Sequence, residues 1–350
     1  MLRCRVKKYR LHFRVPAGTS RGVLHDKASW FLKMLDENRR IGIGECSLLK
    51  ELSIDDRPEF KMYLEEICQR INSGDIPNHT ELVEYPSIRF GLEMALHDLE
   101  YGDDRILFPS EFTTGSAGIP INGLVWMGDF EFMREQVKEK IEAGFTCIKL
   151  KIGAIEFEKE LELIRMIRRE FSPSDVEVRV DANGAFKPDE ALGKLNRLSE
   201  FNLHSIEQPI RQGQWEEMAK LCEKTPLPIA LDEELIGVHD PEKKQKLLSV
   251  IRPRYIILKP SLLGGFAASE EWIHLAEKQN TGWWITSALE SNIGLNAIAQ
   301  WTYTLQNPMP QGLGTGQLYT NNFDSPLTIE KGKLYYRLDK GWDLYDLFEK

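Results

Sequence analysis

The stretch that decides the fold runs from residue 148 to residue 261 and contains five apolar segments that end in polar residues: IKLKIG (148–153), VRVDANG (178–184), SIEQP (205–209), IALDEE (229–234) and IILKPS (256–261). Longer stretches rich in Glu and Lys, with helical periodicity, separate these segments. Asp181, Glu207, Asp232 and Lys259 follow one another at intervals of 26, 25 and 27 residues. Each interval matches one strand and one helix, so the segments are predicted to be parallel strands of one sheet.

The same alternation continues along the chain from about residue 120. Seven strands are predicted, at 121–126, 147–152, 177–182, 205–208, 228–233, 255–259 and 283–288, with helices such as 131–143 and 156–170 between them. The glycine-rich segment 312–316 is a candidate for an eighth strand. This pattern predicts the α/β class and, within it, a (β/α) barrel.

A barrel of this kind needs about 250 residues, which leaves roughly 100 of the 350 for a second structure. Residues 1–117 are predicted to form an α+β capping domain, with strands at 2–15, 29–35 and 40–46 and helices at 58–72 and 86–101. The barrel is expected to occupy residues 118–324. The tail, 325–350, contains a strand-like segment at 334–338 and is expected to complete the capping domain.

Composition limits the classes of function. The chain has 45 basic and 54 acidic side chains, a net charge of −9, which argues against a nucleic-acid or anionic-membrane binder. No secretory signal or stretch of about 18 apolar residues is present in the sequence, so no membrane partner is expected. The five cysteines are scattered and lack a CxxC pair, which favours reduced thiols in the cytoplasm over a disulfide framework or a zinc site.

Three carboxylates are predicted to converge. The carboxyl ends of barrel strands meet at one face, which would bring Asp181, Glu207 and Asp232 together. Carboxylates at close range repel one another unless a cation lies between them, and oxygen ligands favour Mg²⁺, with Mn²⁺ as an alternative, over zinc. The sequence therefore predicts a divalent metal site. For a single carboxylate, an ion pair is the simpler explanation, and Arg179 is a candidate partner for Asp181.

Lysines are predicted to flank this site. Lys149 and Lys151 are two residues apart on one strand and so point to the same face, the barrel interior. Lys259 follows a strand on the other side of the ring and is expected to face the same cavity. Adjacent ammonium groups and a nearby cation lower the pKa of a lysine, which would make a neutral lysine available as a general base. The structural alternative is that Lys149 and Lys151 pair with carboxylates on adjacent strands, and for Lys259 that its stem packs under a rim loop.

These groups suit the removal of a weakly acidic proton next to a carboxylate, with a metal stabilising the enediolate and a lysine taking the proton. The chain resembles the enolase superfamily, and within it the muconate-lactonizing-type subgroup, over nearly its whole length. The KxK strand, DAN, EQP, DEE and the lysine of LKP occur in that family's order. The resemblance implies a modified TIM barrel of the (β/α)7β type and a small-molecule carboxylate as substrate.

The resemblance also implies roles for single residues. The implied metal ligands are Asp181, Glu207 and Asp232. Lys151 corresponds to the acid/base group, and Lys259 would stabilise the enolate from its opposite face. The positions that support the site are implied to be Lys149, Asn183 and Glu233.

Two further segments, INGLVWMG (121–128) and SALESNIGLNAIAQW (287–301), are similar to subgroup members that convert 2-succinyl-6-hydroxy-2,4-cyclohexadiene-1-carboxylate to 2-succinylbenzoate in menaquinone biosynthesis. The implied reaction is a syn loss of water with Lys151 as acid/base. An alternative is racemisation or epimerisation of an N-succinyl amino acid, because Lys151 and Lys259 are also the pair that two-base chemistry needs. A barrel that serves only as a binding scaffold is disfavoured by the intact polar positions.

Contacts to the substrate are predicted at two places. Ser287, Ser291 and Asn292 lie where the seventh strand ends and the next helix begins, and free backbone N–H groups at a helix start can bind a succinyl carboxylate. N-capping by Ser291 or Asn292 is the alternative. Thr19 lies in GTSRG (18–22), where the family's first domain sends a mobile loop over the pocket; an ordinary surface turn is the alternative there.

Overall fold

The computed structural model describes residues 2–19, 22–101, 104–344 and 347. The part that we term the capping region consists of an antiparallel sheet and two helices: β1 (Arg3–Thr19), β2 (Gly22–Leu35), β3 (Ile41–Ser47), α1 (Phe60–Asn72) and α2 (Pro86–Tyr101). The predicted strands and helices of this region are confirmed. The second strand begins earlier than predicted, because residues 22–28 extend the hairpin by pairing with the end of β1.

Close backbone approach fixes α2 against β3. A methyl group in place of the hydrogen of Gly44 would overlap the carbonyl oxygen of Gly91, and one on Gly42 would overlap the carbonyl oxygen of Ala95. Only glycine permits such an approach. Apolar side chains of α1, among them Leu64, complete this core. The helix α2 is therefore held rigidly on the sheet, and its remaining surface contacts the barrel.

A short strand, β4 (Gly118–Pro120), leads into a ring of parallel strands with helices outside it. The strands are β5 (Gly123–Val125), β6 (Cys147–Lys151), β7 (Glu177–Asp181), β8 (Ser205–Glu207), β9 (Ile229–Leu231), β10 (Tyr255–Leu258) and β11 (Gly282–Ile285). The helices are α3 (Phe130–Glu142), α4 (Phe157–Glu170), α5 (Pro188–Ser199), α6 (Trp215–Lys224), α7 (Pro241–Ile251), α8 (Pro260–Leu263), α9 (Gly265–Lys278) and α10 (Asn292–Thr304). All seven predicted barrel strands are confirmed to within a few residues.

Two of the barrel helices begin at aspartate caps. The carboxylate of Asp129 accepts a hydrogen bond from Phe132 N at the start of α3, and that of Asp240 accepts one from Lys243 N at the start of α7. Pro241 occupies the first turn of α7, where its missing N–H costs no hydrogen bond. The apolar faces of the helices pack on the strands, so the main core lies between the ring and its helices.

The ring closes through two residues. Gly312 N donates to Ile285 O at 2.8 Å, and Asn122 N donates to Gln311 O at 3.0 Å. These bonds form parallel bridges on both sides of the gap, Ile121 to Gln311 and Thr286 to Gly312. The eighth strand predicted at 312–316 is thus right in position but reduced to bridges at 311 and 312. The result is the expected modified barrel.

The tail forms a separate small sheet in which β12 (Leu327–Glu330) pairs with β13 (Lys333–Tyr336), and β13 pairs with β4. The strand predicted at 334–338 is confirmed. It lies against the segment where the barrel begins, and the division into 1–117, 118–324 and 325–350 stays a prediction.

Several buried contacts join the capping region to the barrel. The carboxylate of Glu93 on α2 accepts hydrogen bonds from Phe266 N at 2.6 Å and Ala267 N at 3.0 Å, at the start of α9.

Among the described helices, none has the length and apolar character needed to cross a membrane. The five cysteines are free thiols, although the fold brings the sulfur atoms of Cys4 and Cys68 within 3.1 Å.

Candidate active site

A cavity of about 390 Å³ lies between the carboxyl ends of the barrel strands and the capping region. Its barrel wall includes the three predicted lysines together with Asn183 and Ser287. Its outer wall is formed by 22–26 of β2 and by the loop 49–52. A cavity of this size accommodates a small organic ligand.

Strand register brings the predicted groups to one level. Lys151 pairs with Asp181 between β6 and β7, and Asp181 pairs with Glu207 between β7 and β8. Asp232 directly follows β9, and Lys259 directly follows β10. The three carboxylates are almost completely buried, at 2% exposed or less. The predicted convergence at the carboxyl end of the strands is therefore what the structure contains.

Lysines lie between the carboxylates. Lys149 Nζ is 2.9 Å from Asp181 Oδ2 and also bonds Glu207 Oε2. Lys151 Nζ is 2.8 Å from the same oxygen of Asp181. Lys259 Nζ bonds Asp232 Oδ2. Each of these three buried carboxyl groups thus has at least one lysine amine within ion-pair distance, as buried charge requires.

These pairs decide the protonation of the lysines. Burial opposes the charge of Lys149, but the carboxylates of Asp181 and Glu207 outweigh it and raise the pKa of Lys149. Burial also opposes the charge of Lys259, and the carboxylates led by Asp232 outweigh it and raise its pKa. The lowered lysine pKa that the sequence predicts for the Lys149 and Lys151 pair is therefore not found at Lys149, because the carboxylates outweigh burial. The alternative, pairing with carboxylates on neighbouring strands, describes the contacts of Lys149 and Lys151.

The carboxylates are affected unequally. Burial, together with the charge of Asp181, raises the pKa of Glu207 well above its usual range. Burial acts in the same direction on Asp232, but the Lys259 ammonium outweighs it and lowers the pKa of Asp232. Arg179 does not serve Asp181, since it pairs with Glu177 at the other end of β7.

The donor set fits the divalent cation that the resemblance implies. Three carboxylates offer hard oxygen ligands, and Glu207 Oε1 is buried without accepting a hydrogen bond from the described part of the chain. The described residues contain no preassembled group of three His, Cys, Asp or Glu side chains at metal-binding spacing. Instead, Lys149 Nζ lies between Asp181 and Glu207. The chemistry of the donors suits a divalent cation.

A hydrogen-bonded chain supports Lys151. Its Nζ donates to Asn183 Oδ1 at 2.6 Å, and Asn183 Nδ2 donates to Glu233 Oε1 at 3.0 Å. Asn183 has φ +44°, a left-handed conformation that Asn tolerates better than most residues. Asn183 thus contacts Lys151 directly, and Glu233 lies one hydrogen bond further away.

Of the predicted substrate contacts, Ser287 lines the cavity, and its hydroxyl shares a 2.6 Å hydrogen bond with that of Thr315. Ser291 differs from the expectation. It is fully buried, its hydroxyl donates to Glu45 Oε2 at 2.6 Å, and its backbone N–H also donates to Glu45. Ser291 is the N-cap of α10, so the capping alternative is confirmed and Glu45 already occupies this helix start.

Asn292 also differs from the expectation. Its N–H donates to Asn322 Oδ1 at 2.9 Å and its side-chain amide donates to Phe323 O at 2.6 Å. It borders a different cavity. The side chain of Thr19 lies outside the described residues, as do Ser20 and Arg21, so the loop over the pocket stays a prediction.

Sequence reasoning missed several residues of the cavity wall. His25, Asp26 and the loop 49–52 belong to the capping region and carry no motif; only the long pairing of β1 with β2 brings the first two to the cavity. Trp126 lies in INGLVWMG (121–128), and Thr315 lies in the glycine-rich segment 312–316. The sequence pattern of these segments does not predict that either side chain lines the site. An aromatic side chain directly after a short first barrel strand was the available signal for Trp126.

Known proteins are similar to this chain in sequence. The family model "Enolase C-terminal domain-like" matches residues 132–342. An o-succinylbenzoate synthase of Desulfotalea psychrophila is 50% identical, over 93% of this chain and 96% of its own. An N-succinylamino acid racemase of Thermus thermophilus is 29% identical, over 79% of this chain and 75% of its own.

Solved structures agree with the fold. A crystal structure of MenC from Desulfotalea psychrophila superposes with a TM-score of 0.85 and 45% identity, covering 95% of this chain and 99% of its own. A substrate-liganded L-Ala-D/L-Glu epimerase of Bacillus subtilis superposes with a TM-score of 0.81 at 18% identity, covering 98% of this chain and 97% of its own, which speaks for the fold alone.

Proposed function

The chain belongs to the enolase superfamily, and we propose that it acts as an o-succinylbenzoate synthase, a carbon–oxygen lyase that dehydrates 2-succinyl-6-hydroxy-2,4-cyclohexadiene-1-carboxylate to 2-succinylbenzoate. One observation carries the proposal: a relative of that name is 50% identical over almost the whole of both chains. The cavity with its acid/base groups supports the same reaction class.

In the proposed reaction, Lys151 acts as base and then as acid. A neutral Lys151 Nζ removes the proton next to the substrate carboxylate, which leaves an enediolate and an ammonium. The ammonium then protonates the departing hydroxyl on the same face, so that water leaves and the ring becomes aromatic. Asn183, bonded to Lys151 Nζ at 2.6 Å, orients the amine for both steps.

Lys259 is proposed to stabilise the developing negative charge. It reaches the cavity from the end of β10, and three strands lie between β10 and β6 in the sheet. The carboxylates led by Asp232 outweigh burial and raise its pKa, which suits a fixed positive charge. Lys149 and Glu233 are proposed to maintain the charge balance around the reacting groups.

Asp181, Glu207 and Asp232 are proposed to hold Mg²⁺, or Mn²⁺ in its place. Such an ion would stabilise negative charge on the substrate carboxylate when the adjacent carbon loses its proton. The unpartnered Glu207 Oε1 and the three oxygen donors support this assignment. We further propose a cytoplasmic protein of menaquinone biosynthesis whose partner is this small-molecule carboxylate.

A second candidate activity is the racemisation of N-succinyl amino acids. It is favoured by one observation: Lys151 and Lys259 both line the cavity, from strands that lie four positions apart. Incubation with an N-succinyl amino acid in D₂O tests it. Exchange of the α-proton supports the second activity, and absence of exchange leaves dehydration alone.

The deciding experiment is turnover of the cyclohexadiene substrate with and without EDTA. Formation of 2-succinylbenzoate that EDTA stops and added Mg²⁺ restores is expected. Turnover unaffected by EDTA contradicts the metal assignment, and absence of turnover with Mg²⁺ present contradicts the reaction.

A further inference from the structure

One wall of the cavity has a strained backbone. Ala288 and Leu289, which follow β11, both line the cavity, and Leu289 has φ +60°. A leucine in this left-handed conformation is strained, because its Cβ crowds the following carbonyl. Such a conformation persists only where the surroundings hold it in place.

Two buried donors hold Leu289. Lys27 Nζ donates to Leu289 O at 2.8 Å, and the Tyr319 hydroxyl donates to the same oxygen at 2.7 Å. Lys27 is 5% exposed and Tyr319 is 2% exposed. Lys27 belongs to β2 of the capping region, whereas Tyr319 follows the segment that closes the ring. The carbonyl is thus fixed from two separate parts of the molecule.

The residues on either side of Leu289 are fixed as well. Ala288 N donates to Glu290 Oε2 at 2.7 Å, and Ser291 N donates to Glu45 of β3 at 3.0 Å. The Leu289 side chain packs with an apolar cluster that also contacts Trp126 of the cavity wall. The whole segment 288–291 therefore has one defined arrangement.

The Lys27 ammonium is costly to bury and is matched to its surroundings. It also donates to the Ser47 hydroxyl. Burial lowers the pKa of Lys27, and the carboxylates of Glu45 and Glu290 oppose that effect. The Lys27 amine reaches from the capping region to the Leu289 carbonyl and also bonds Ser47, a role that an apolar side chain could not fill.

We propose that Lys27 is a positioning residue that fixes the Leu289 wall of the cavity, so that the capping region sets the shape of the substrate site through this ammonium. Lys27 itself does not line the cavity; it acts through the Leu289 carbonyl. The inference rests on the proposed dehydration for its kinetic readout. Because the reacting groups lie on other strands, loss of Lys27 is expected to weaken substrate binding more than the chemical step.

The test is Lys27→Met, which keeps the length of the side chain and removes its charge. The KM for the cyclohexadiene substrate is expected to rise about tenfold, as for loss of a charged hydrogen bond, with kcat changed less than about threefold. Tyr319→Phe removes the second donor to the same oxygen and keeps the ring, and a smaller rise in KM of about threefold is expected. Lys33→Met, on the same strand, is the matched control and is expected to keep both parameters.

A structural readout separates this inference from the proposed reaction. In a crystal structure of Lys27→Met, the Leu289 carbonyl is expected to have moved and its φ to have left the left-handed region. If Lys27→Met does not fold, Tyr319→Phe gives the kinetic and structural answers. The inference about Lys27 is overturned if the variants keep the wild-type KM and Leu289 has not moved. If the wild-type enzyme itself shows no turnover, the proposed function is contradicted, and the crystal structure of the variant then decides the inference about Lys27.

Discussion

At the end of the barrel where the strands begin, Arg179 donates to Glu177 at 2.7 Å and to Pro310 O at 2.9 Å, and its guanidinium lies 4.3 Å from the ring centre of Trp284. His204 stacks on Tyr255 at the same end, with ring centres 4.8 Å apart. Aromatic rings cover this charge, and Arg179 does not line the cavity. The arrangement is typical of side chains that close a barrel and have a structural role. We term this end of the barrel the plug end.

At the carboxyl end the buried charges are crowded and face a cavity. Lys149 is shared between Asp181 and Glu207, and Asp181 also binds Lys151. Charges that compete for partners next to a cavity are available to a ligand, whereas charges fixed under aromatic rings are not. Burial alone therefore does not identify a functional residue. Functional residues are better identified by access from a cavity and by several charged groups that compete for the same ion-pair partner.

The sharpest test of the comparison is Lys151→Ala at the cavity end. Turnover of the cyclohexadiene substrate is expected to fall by about 10²–10⁴-fold, the usual contribution of a general acid/base group, while the protein stays folded. Steady-state kinetics and circular dichroism measure the two effects. The control is Lys187→Ala, at an exposed position just before α5. If Lys151→Ala turns over the substrate nearly as fast as this control, Lys151 is not the acid/base group.

The next effect concerns the cation. Asp232→Asn removes one carboxylate charge, and Mg²⁺ affinity is expected to fall at least about tenfold, as even supporting residues of metal sites have effects of that size. Isothermal titration calorimetry measures it. Asp189→Asn, exposed in the first turn of α5, is the matched control. Equal Mg²⁺ affinity in the two variants contradicts the ligand assignment.

The difference between the two ends was only partly available from sequence. The regular spacing of Asp181, Glu207 and Asp232 predicts their convergence, because strand register in a barrel follows the chain. Sequence gave no reason to separate Arg179 from Asp181, since both point to one face of β7; only the direction of each side chain along the strand separates them.

Contacts between distant parts of the chain were harder to foresee. The α10 start has the usual features of an anion site, yet Glu45 from β3, 246 residues away, fills it. The pairing of Leu289 with Lys27 is of the same kind. Such contacts follow from how the capping region docks on the barrel, and neither local pattern nor spacing encodes docking.

Arg179→Met tests the plug end. Loss of the contact with Trp284 and of the hydrogen bond to Pro310 O is expected to lower the free energy of unfolding by about 3 kcal/mol. The KM for the substrate is expected to stay unchanged, because Arg179 lies outside the cavity wall. Urea denaturation and kinetics measure the two quantities, with exposed Arg254→Met at the same end as control. If Arg179→Met has wild-type stability and a raised KM, Arg179 has a functional and not a structural role, which contradicts the distinction between the two ends.

The smallest effect expected at the plug end is a pH dependence due to His204. Burial lowers the pKa of His204 from 6.5 to about 4, against the charge of Glu177, so the unfolded chain binds the proton more tightly than the folded one. Stability from this group is present above pH 6.5 and is lost as the pH falls towards 4, by about 2 kcal/mol between pH 7 and pH 5. His204→Phe keeps a ring on Tyr255 and removes the titration, so its unfolding free energy is expected to fall less steeply with acid. His274→Phe, at an exposed position, should retain the wild-type slope in urea titrations at pH 7, 6 and 5. If the unfolding free energy of His204→Phe and that of the wild type have the same slope against pH, protonation of the His204 ring in the folded state costs no free energy. The plug end would then not be closed to solvent, which is the property that distinguishes it from the cavity end.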